Sequence, residues 1–72
     1  MEELRQHPLC DVIKLKVADC YYAAKATVLE ECSLCGGGWH RYFTDKEFTH
    51  CPRCGAEIRG YFNEEQYQQQ HP

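Results

Sequence analysis

Seventy-two residues with a formal charge of −3 allow one small domain, and a chain this short buries only about 60% of the surface its unfolded form exposes. The hydrophobic fraction of 43% includes six Cys and five Tyr, while Leu, Ile, Val, Phe, Met and Trp together number 15. Apolar burial alone leaves such a fold marginal, and the composition excludes a multidomain enzyme, a membrane span and a collagen or coiled-coil rod.

The first eight residues are polar and end at Pro8, which closes off any helix. Residues 1–20 contain no apolar run of signal-peptide length, so the expected setting is the cytoplasm, with thiols reduced and disulfides the lesser alternative. From Ile13 to Val17 apolar and basic residues alternate. That pattern predicts a strand with Ile13, Leu15 and Val17 on one face and Lys14 and Lys16 in water. Ala18 and Asp19 mark a turn. Residues 20–30 mix three alanines, which favour helix, with two tyrosines, Thr27 and Val28, which favour a strand. A strand is the better reading, because it pairs with the preceding one as a hairpin and leads into the first cysteine pair.

Residues 39–43 are rich in aromatics and predict a strand. Thr44 and Glu47 stand at capping-box spacing and predict a single helical turn. Residues 48–50 lead back to the second cysteine pair, and residues 57–62 predict a last strand. Asn63 with Gln66 repeats the capping-box spacing, with Phe62 and Tyr67 in the staple positions, so a short helix is expected over residues 64–70.

The cysteines carry the chemistry. Cys32 and Cys35 form one C-x2-C pair and Cys51 and Cys54 another, fifteen residues apart, which is four-thiolate zinc spacing. Each pair is followed by glycine, Gly36 and Gly55. A C-x2-C turn points its N–H groups at the sulfurs and drives the next residue to positive φ, where glycine has no Cβ penalty. Two such turns face to face give a closed tetrahedral site for one zinc per chain. His40 and His50 are then surplus to a completed tetrahedron. Cys10 and Cys20 belong to neither pair and are expected to be buried free thiols acting as small apolar residues.

Cys51-Pro52-Arg53-Cys54-Gly55-Ala56-Glu57-Ile58 resembles the second knuckle of the zinc-ribbon family, with Cys32-Ser33-Leu34-Cys35-Gly36 as the first. The spacing, and the Ile58-Arg59-Gly60-Tyr61 ending, are similar to the smallest zinc-ribbon subunit of archaeal and eukaryotic RNA polymerases, although that subunit is basic and this chain is acidic. The resemblance implies a small zinc-stabilised β-rich domain. Its ribbon would span residues 30–62, with residues 1–29 adding a β-hairpin and residues 63–72 a short helix. A rubredoxin-like turn could also carry iron for electron transfer, but the gap between the pairs is shorter than rubredoxins use.

No Ser/His/Asp constellation, phosphate-cradling loop or carboxylate pair is evident, so an enzyme is not expected, nor a small-molecule substrate or a membrane. Trp39, Tyr42, Phe43, Phe48, Tyr61 and Phe62 lie among Arg41, Arg53 and Arg59, a composition that suits single-stranded nucleic acid. Four thiolates around one dication would add two further negative charges, and that field opposes phosphate binding. A protein partner is therefore the first expectation, with the chain a small adaptor or inhibitor of a larger nucleic-acid-processing machine and nucleic acid the alternative. Exposed aromatics and arginines dominate protein interfaces, which makes Trp39, Arg41, Tyr42 and Arg59, on strands bordering the knuckles, the candidate contact face. In size and style the chain resembles free-standing regulators of phages and other compact genomes.

Overall fold

The computed structural model describes residues 8–21 and 24–70. Strands β1 (Leu9–Cys20) and β2 (Lys25–Cys32) form the expected antiparallel hairpin. β3 (Gly38–Tyr42) follows the first cysteine pair, β4 (Glu57–Asn63) the second, and α1 (Glu64–Gln70) completes the set. The four strands make one sheet in the order β3-β2-β1-β4. β2 runs antiparallel to both neighbours, whereas β1 and β4 are parallel. The boundary expected between residues 29 and 30 falls inside β2, so the sheet does not divide there. Residues 1–7, and Tyr22 and Ala23 within the expected second strand, lie outside the described residues.

The turn expected at Ala18 and Asp19 is part of β1, where these residues pair with Thr27 and Ala26. Thr27 holds the pairing, its hydroxyl donating to the Ala18 carbonyl at 2.9 Å. The chain reverses after Cys20 instead. Ala24, in the left-handed region at φ 52°, donates its N–H to the Cys20 carbonyl at 2.7 Å. Thr27 and Val28 thus outweigh the alanines, as β-branched residues on a half-buried sheet do.

A bulge breaks the alternation read for β1. Lys14 pairs with Glu30 and Lys16 with Leu29, which leaves Leu15 as the extra residue. Beyond it the faces exchange, so Val17 joins Val12 rather than Ile13. Ile13 is buried, whereas Val17 is 55% exposed. Lys14 is only half in water, because it pairs with Glu47 and lies 5.2 Å from the centre of the Tyr61 ring.

The core collects on the face that carries the cysteine pairs. Cys10, Val12, Cys32, Cys51 and Ala56 are buried, with Trp39, Ile58 and Tyr61 packed against them. Residues 43–50 cross this face. The Phe48 ring centre lies 6.2 Å from that of Trp39, and Phe48 offers its carbonyl to the Tyr61 hydroxyl. The single helical turn expected at Thr44–Glu47 does not form. Arg41 takes the carbonyls of Tyr42 (3.3 Å) and Asp45 (2.8 Å), and Glu47 turns to Lys14.

Two ion pairs fasten the outer strands. Glu30 is fully buried on β2, its Oε2 accepting from Arg41 Nε at 2.9 Å with Arg41 Nη2 also 2.9 Å away, and its Oε1 accepting from Trp39 Nε1 at 3.0 Å. On the other side a bulge sets Arg59 out of register, with Cys10 opposite Ile58 and Asp11 opposite Gly60. Arg59 then grips buried Asp11 with two bonds, Nε at 2.9 Å and Nη2 at 2.7 Å. At the end of β4 the capping box forms as read. Asn63 Oδ1 accepts from Gln66 N–H at 2.7 Å and Gln66 Oε1 from Asn63 N–H at 3.3 Å, with the Phe62 and Tyr67 rings 6.5 Å apart.

Arg41→Ala leaves the Glu30 carboxylate buried without its partner, which should cost about 3–5 kcal/mol. Urea denaturation should show this as a lowered midpoint. Glu30→Leu added to Arg41→Ala should recover most of the loss, and equal midpoints for wild type and Arg41→Ala would remove the pair from the account of stability.

Candidate metal centre

The two cysteine pairs build the same turn twice. In the first, Gly36 N–H donates to the Cys32 carbonyl at 2.9 Å, and Cys32 N–H to the Gly37 carbonyl at 2.9 Å. In the second, Gly55 N–H donates to the Cys51 carbonyl and Cys51 N–H to the Ala56 carbonyl, both at 2.8 Å. Gly36 and Gly55 have φ of 76° and 82°, the left-handed conformation that the sequence pattern requires. The first turn joins β2 to β3, and the second is closed by an antiparallel bridge between His50 and Glu57.

Backbone amides point at the sulfurs. Cys32 Sγ accepts from Leu34 (3.3 Å) and Cys35 (3.4 Å), Cys51 Sγ from Arg53 and Cys54 (both 3.3 Å), and Cys35 Sγ from Gly37 (3.4 Å). The four sulfurs of Cys32, Cys35, Cys51 and Cys54 all lie within 4.8 Å of one another, and Cys35 and Cys51 are 4.0 Å apart. Zinc–sulfur bonds of about 2.3 Å give a tetrahedron with edges of about 3.8 Å, so the cluster is within about 1 Å of that geometry. Four soft donors at these distances could hold one metal ion, with the amide dipoles offsetting their negative charge. Cys32 and Cys51 are buried and Cys35 and Cys54 exposed, so the first cysteine of each turn anchors it in the core.

The turns also touch each other. The stem of Arg53 lies over Gly37, where a Cβ would come within 3.1 Å of it. Gly37, in the glycine run after Cys35, is thus a point of contact between the two turns.

In the absence of metal the sulfurs are not equivalent. Burial pushes the Cys32 thiol up, but hydrogen bonds from the Cys10 thiol and from the Cys35 and Leu34 amides outweigh it and bring it down to about 6. At Cys54 the Ala56 amide acts downward, yet desolvation and the neighbouring Cys51, Cys35 and Cys32 sulfurs leave it up at about 11. Burial, followed by the bond to Cys32, pushes Cys10 up to about 12.

Cys10 is a buried free thiol, as expected, whereas Cys20, with which it was grouped, is only half-buried at the far end of β1. What the sequence does not show is that the Cys10 and Cys32 sulfurs are in contact. His40 Nδ1 meets the Thr27 hydroxyl at 2.7 Å, and His50 Nδ1 meets that of Thr49 at 3.1 Å.

Trp39, Arg41, Tyr42 and Arg59 do not share a face. Trp39, Arg41 and Tyr42 are on β3 and Arg59 is on β4, the two opposite edges of the sheet. Arg41 is 5% exposed, and Trp39 turns inward to the same carboxylate. Tyr42 is open to solvent with Lys25 Nζ 5.6 Å from its ring centre, and Arg59, though its side chain is 58% exposed, is held by Asp11. Strand alternation could not foresee that a carboxylate on the neighbouring strand would take both Trp39 and Arg41 inward.

Compared with protein families, curated proteins and solved structures, the chain matches none of them. No described helix is long and apolar enough to cross a membrane.

Purified without chelator, the protein should carry one metal ion per chain, and Cys51→Ser should lose both the ion and the cooperative melt. Metal analysis beside circular dichroism checks this, and two ions per chain would contradict a single centre. Because zinc must displace thiol protons, its affinity should also fall as pH is lowered, which a competition titration with a chelator at two pH values checks.

Proposed function

We propose that the chain is a zinc ribbon, resembling those of the RNA polymerase subunits in its knuckles, and that it serves as a protein-interaction module. In this reading one zinc is held by Cys32, Cys35, Cys51 and Cys54, and the domain acts as a small adaptor or inhibitor of a larger nucleic-acid-processing machine. Four thiolates fill a tetrahedron, which is the pattern of a structural zinc rather than of one with a position free for water. The zinc then serves the fold, and the work of the protein falls to its surface.

One observation carries the preference for a protein partner: where the arginines go. Of Arg41, Arg53 and Arg59, the three offered for phosphate contacts, Arg41 and Arg59 are bound to carboxylates of the fold. Apolar side chains stay outside, among them Leu34, half exposed beside the first turn, and Phe43, 60% exposed beyond β3. With a formal charge of −3 before the thiolates are counted, the surface is poor in what attracts a phosphate backbone and better supplied with what a protein partner covers.

Labelled single-stranded RNA and DNA titrated with the zinc-loaded protein test the choice. Near-physiological salt should leave binding weaker than about 10 µM, and added salt should abolish it. Nuclease-treated lysate passed over the same protein should yield a retained polypeptide whose binding resists salt and drops with Phe43→Asp. Sub-micromolar oligonucleotide binding that persists in salt and weakens with Arg53→Ala would replace the adaptor with a nucleic-acid-binding ribbon.

A further inference from the structure

We infer that Cys10 is a positioning residue of the metal centre: its thiol, held under the first turn by β1, donates a hydrogen bond to the ligand sulfur of Cys32. The inference rests on the reading that the four-cysteine cluster holds a metal ion.

β1 is built to put it there. Val12 is in register with Cys32, the last residue of β2, so β1 runs three residues further, Leu9 to Asp11, beneath the turn. Asp11 N–H donates to Ser33 Oγ at 3.0 Å and Ser33 N–H to the Asp11 carbonyl at 2.9 Å, which clamps strand to turn. Cys10 then projects into the core beside Val12, Cys51 and Ala56, fully buried, with its Sγ against that of Cys32.

The thiol has two acceptors within reach. The Asp11 carbonyl already accepts from Ser33, whereas the Cys32 sulfur is in direct contact with the thiol. A metal-bound thiolate in a buried site is the stronger acceptor, since charged partners make hydrogen bonds roughly twice as strong. Cys10 is outside the set of sulfurs that lie mutually within 4.8 Å, and those four already fill a tetrahedron, so in this proposal Cys10 stands beside the ligands as a neutral thiol. The two turns otherwise match, with two amides on Cys32 and two on Cys51. Cys10 is what distinguishes them, a thiol from outside the four-sulfur cluster set against Cys32. Such outer partners fix ligand orientation and damp the basicity of the sulfur, and losing one typically costs 10–100-fold in metal affinity.

A purely space-filling role predicts the opposite order of substitutions. An apolar replacement suits a core position, and a buried hydroxyl without a partner is penalised. The proposal predicts that Cys10→Ser, which keeps a donor, retains metal better than Cys10→Val, which keeps the bulk. The test loads wild type, Cys10→Ser and Cys10→Val with zinc and with cobalt(II), and verifies one ion per chain in each. Zinc loss to a chelator should be at least about tenfold faster in Cys10→Val than in wild type, with Cys10→Ser close to wild type. The cobalt–thiolate charge-transfer band should move to lower energy in Cys10→Val alone, because an unbonded thiolate gives up its electron more readily.

Coincident bands in all three proteins, or Cys10→Ser losing zinc as fast as Cys10→Val, would overturn the proposal while leaving the metal centre intact. A wild-type protein that binds no ion would instead sink the metal reading and the proposal with it. Cadmium-loaded wild type supplies a check that needs no variant. Couplings from the metal to the β protons of Cys32, Cys35, Cys51 and Cys54 only are expected, and a coupling to those of Cys10 would make it a ligand and overturn the proposal.

Discussion

Four sulfurs drawn to one point are the constraint on which this fold depends. Only seven hydrophobic residues are buried among those described, and two of them, Cys32 and Cys51, belong to the cluster. A core that small cannot hold the surrounding loops by apolar contact. Structural zinc contributes on the order of 10–16 kcal/mol in comparable small domains, which exceeds what these few side chains supply by burial at about 1.5–3 kcal/mol each once chain entropy is set against them. The turns therefore act as the core's centre, and the strands radiate from them: β2 and β3 from the first, β4 from the second.

The buried charges have a different task. Glu30 with Arg41 ties β2 to β3, and Asp11 with Arg59 ties β1 to β4, so each edge of the sheet is fastened by one carboxylate from an inner strand. Pairs of this kind recover little more than their desolvation cost. What they supply is selectivity, because an edge strand slipped by one residue would carry its arginine to the wrong face. Glu30 draws Arg41 off the surface and Asp11 neutralises Arg59 at it, and so the way the sheet is specified also shapes what the surface can recognise.

Features set by neighbours in the chain were legible in the sequence, and features set across the sheet were not. The two turns with their positive-φ glycines, the Asn63–Gln66 cap, the Phe62–Tyr67 staple and the hairpin of β1 with β2 depend on residues a few positions apart or on simple alternation. The Cys32–Cys54 spacing likewise announced the cluster. The parallel pairing of β1 with β4 left no trace, since it joins Asp11 to Arg59 across 48 positions. Both bulges were invisible because alternation has no symbol for an extra residue, and the one at Leu15 sent Val17 to the opposite face. In the sequence Arg41 reads as a contact residue and Glu30 gives no signal, and only the neighbouring strand reveals that each exists for the other. Cys10 was hidden for a related reason: its role comes from β1 overrunning the end of β2.

The parallel junction bears on how the molecule assembles. β1 finds its first partner within a few residues, through the hairpin, but its second partner is β4, and everything between must be crossed before that side closes. Residues on β1 therefore wait, with one hydrogen-bonding edge open, until the second cysteine turn has been made and β4 delivered alongside. During synthesis this interval spans most of the chain's emergence, and an open strand edge is the feature through which nascent chains associate with one another. In the reading proposed above, a metal ion drawing the two turns together would bring β4 to that edge, and metal supply would then set the time the chain stays exposed to aggregation as well as its final stability.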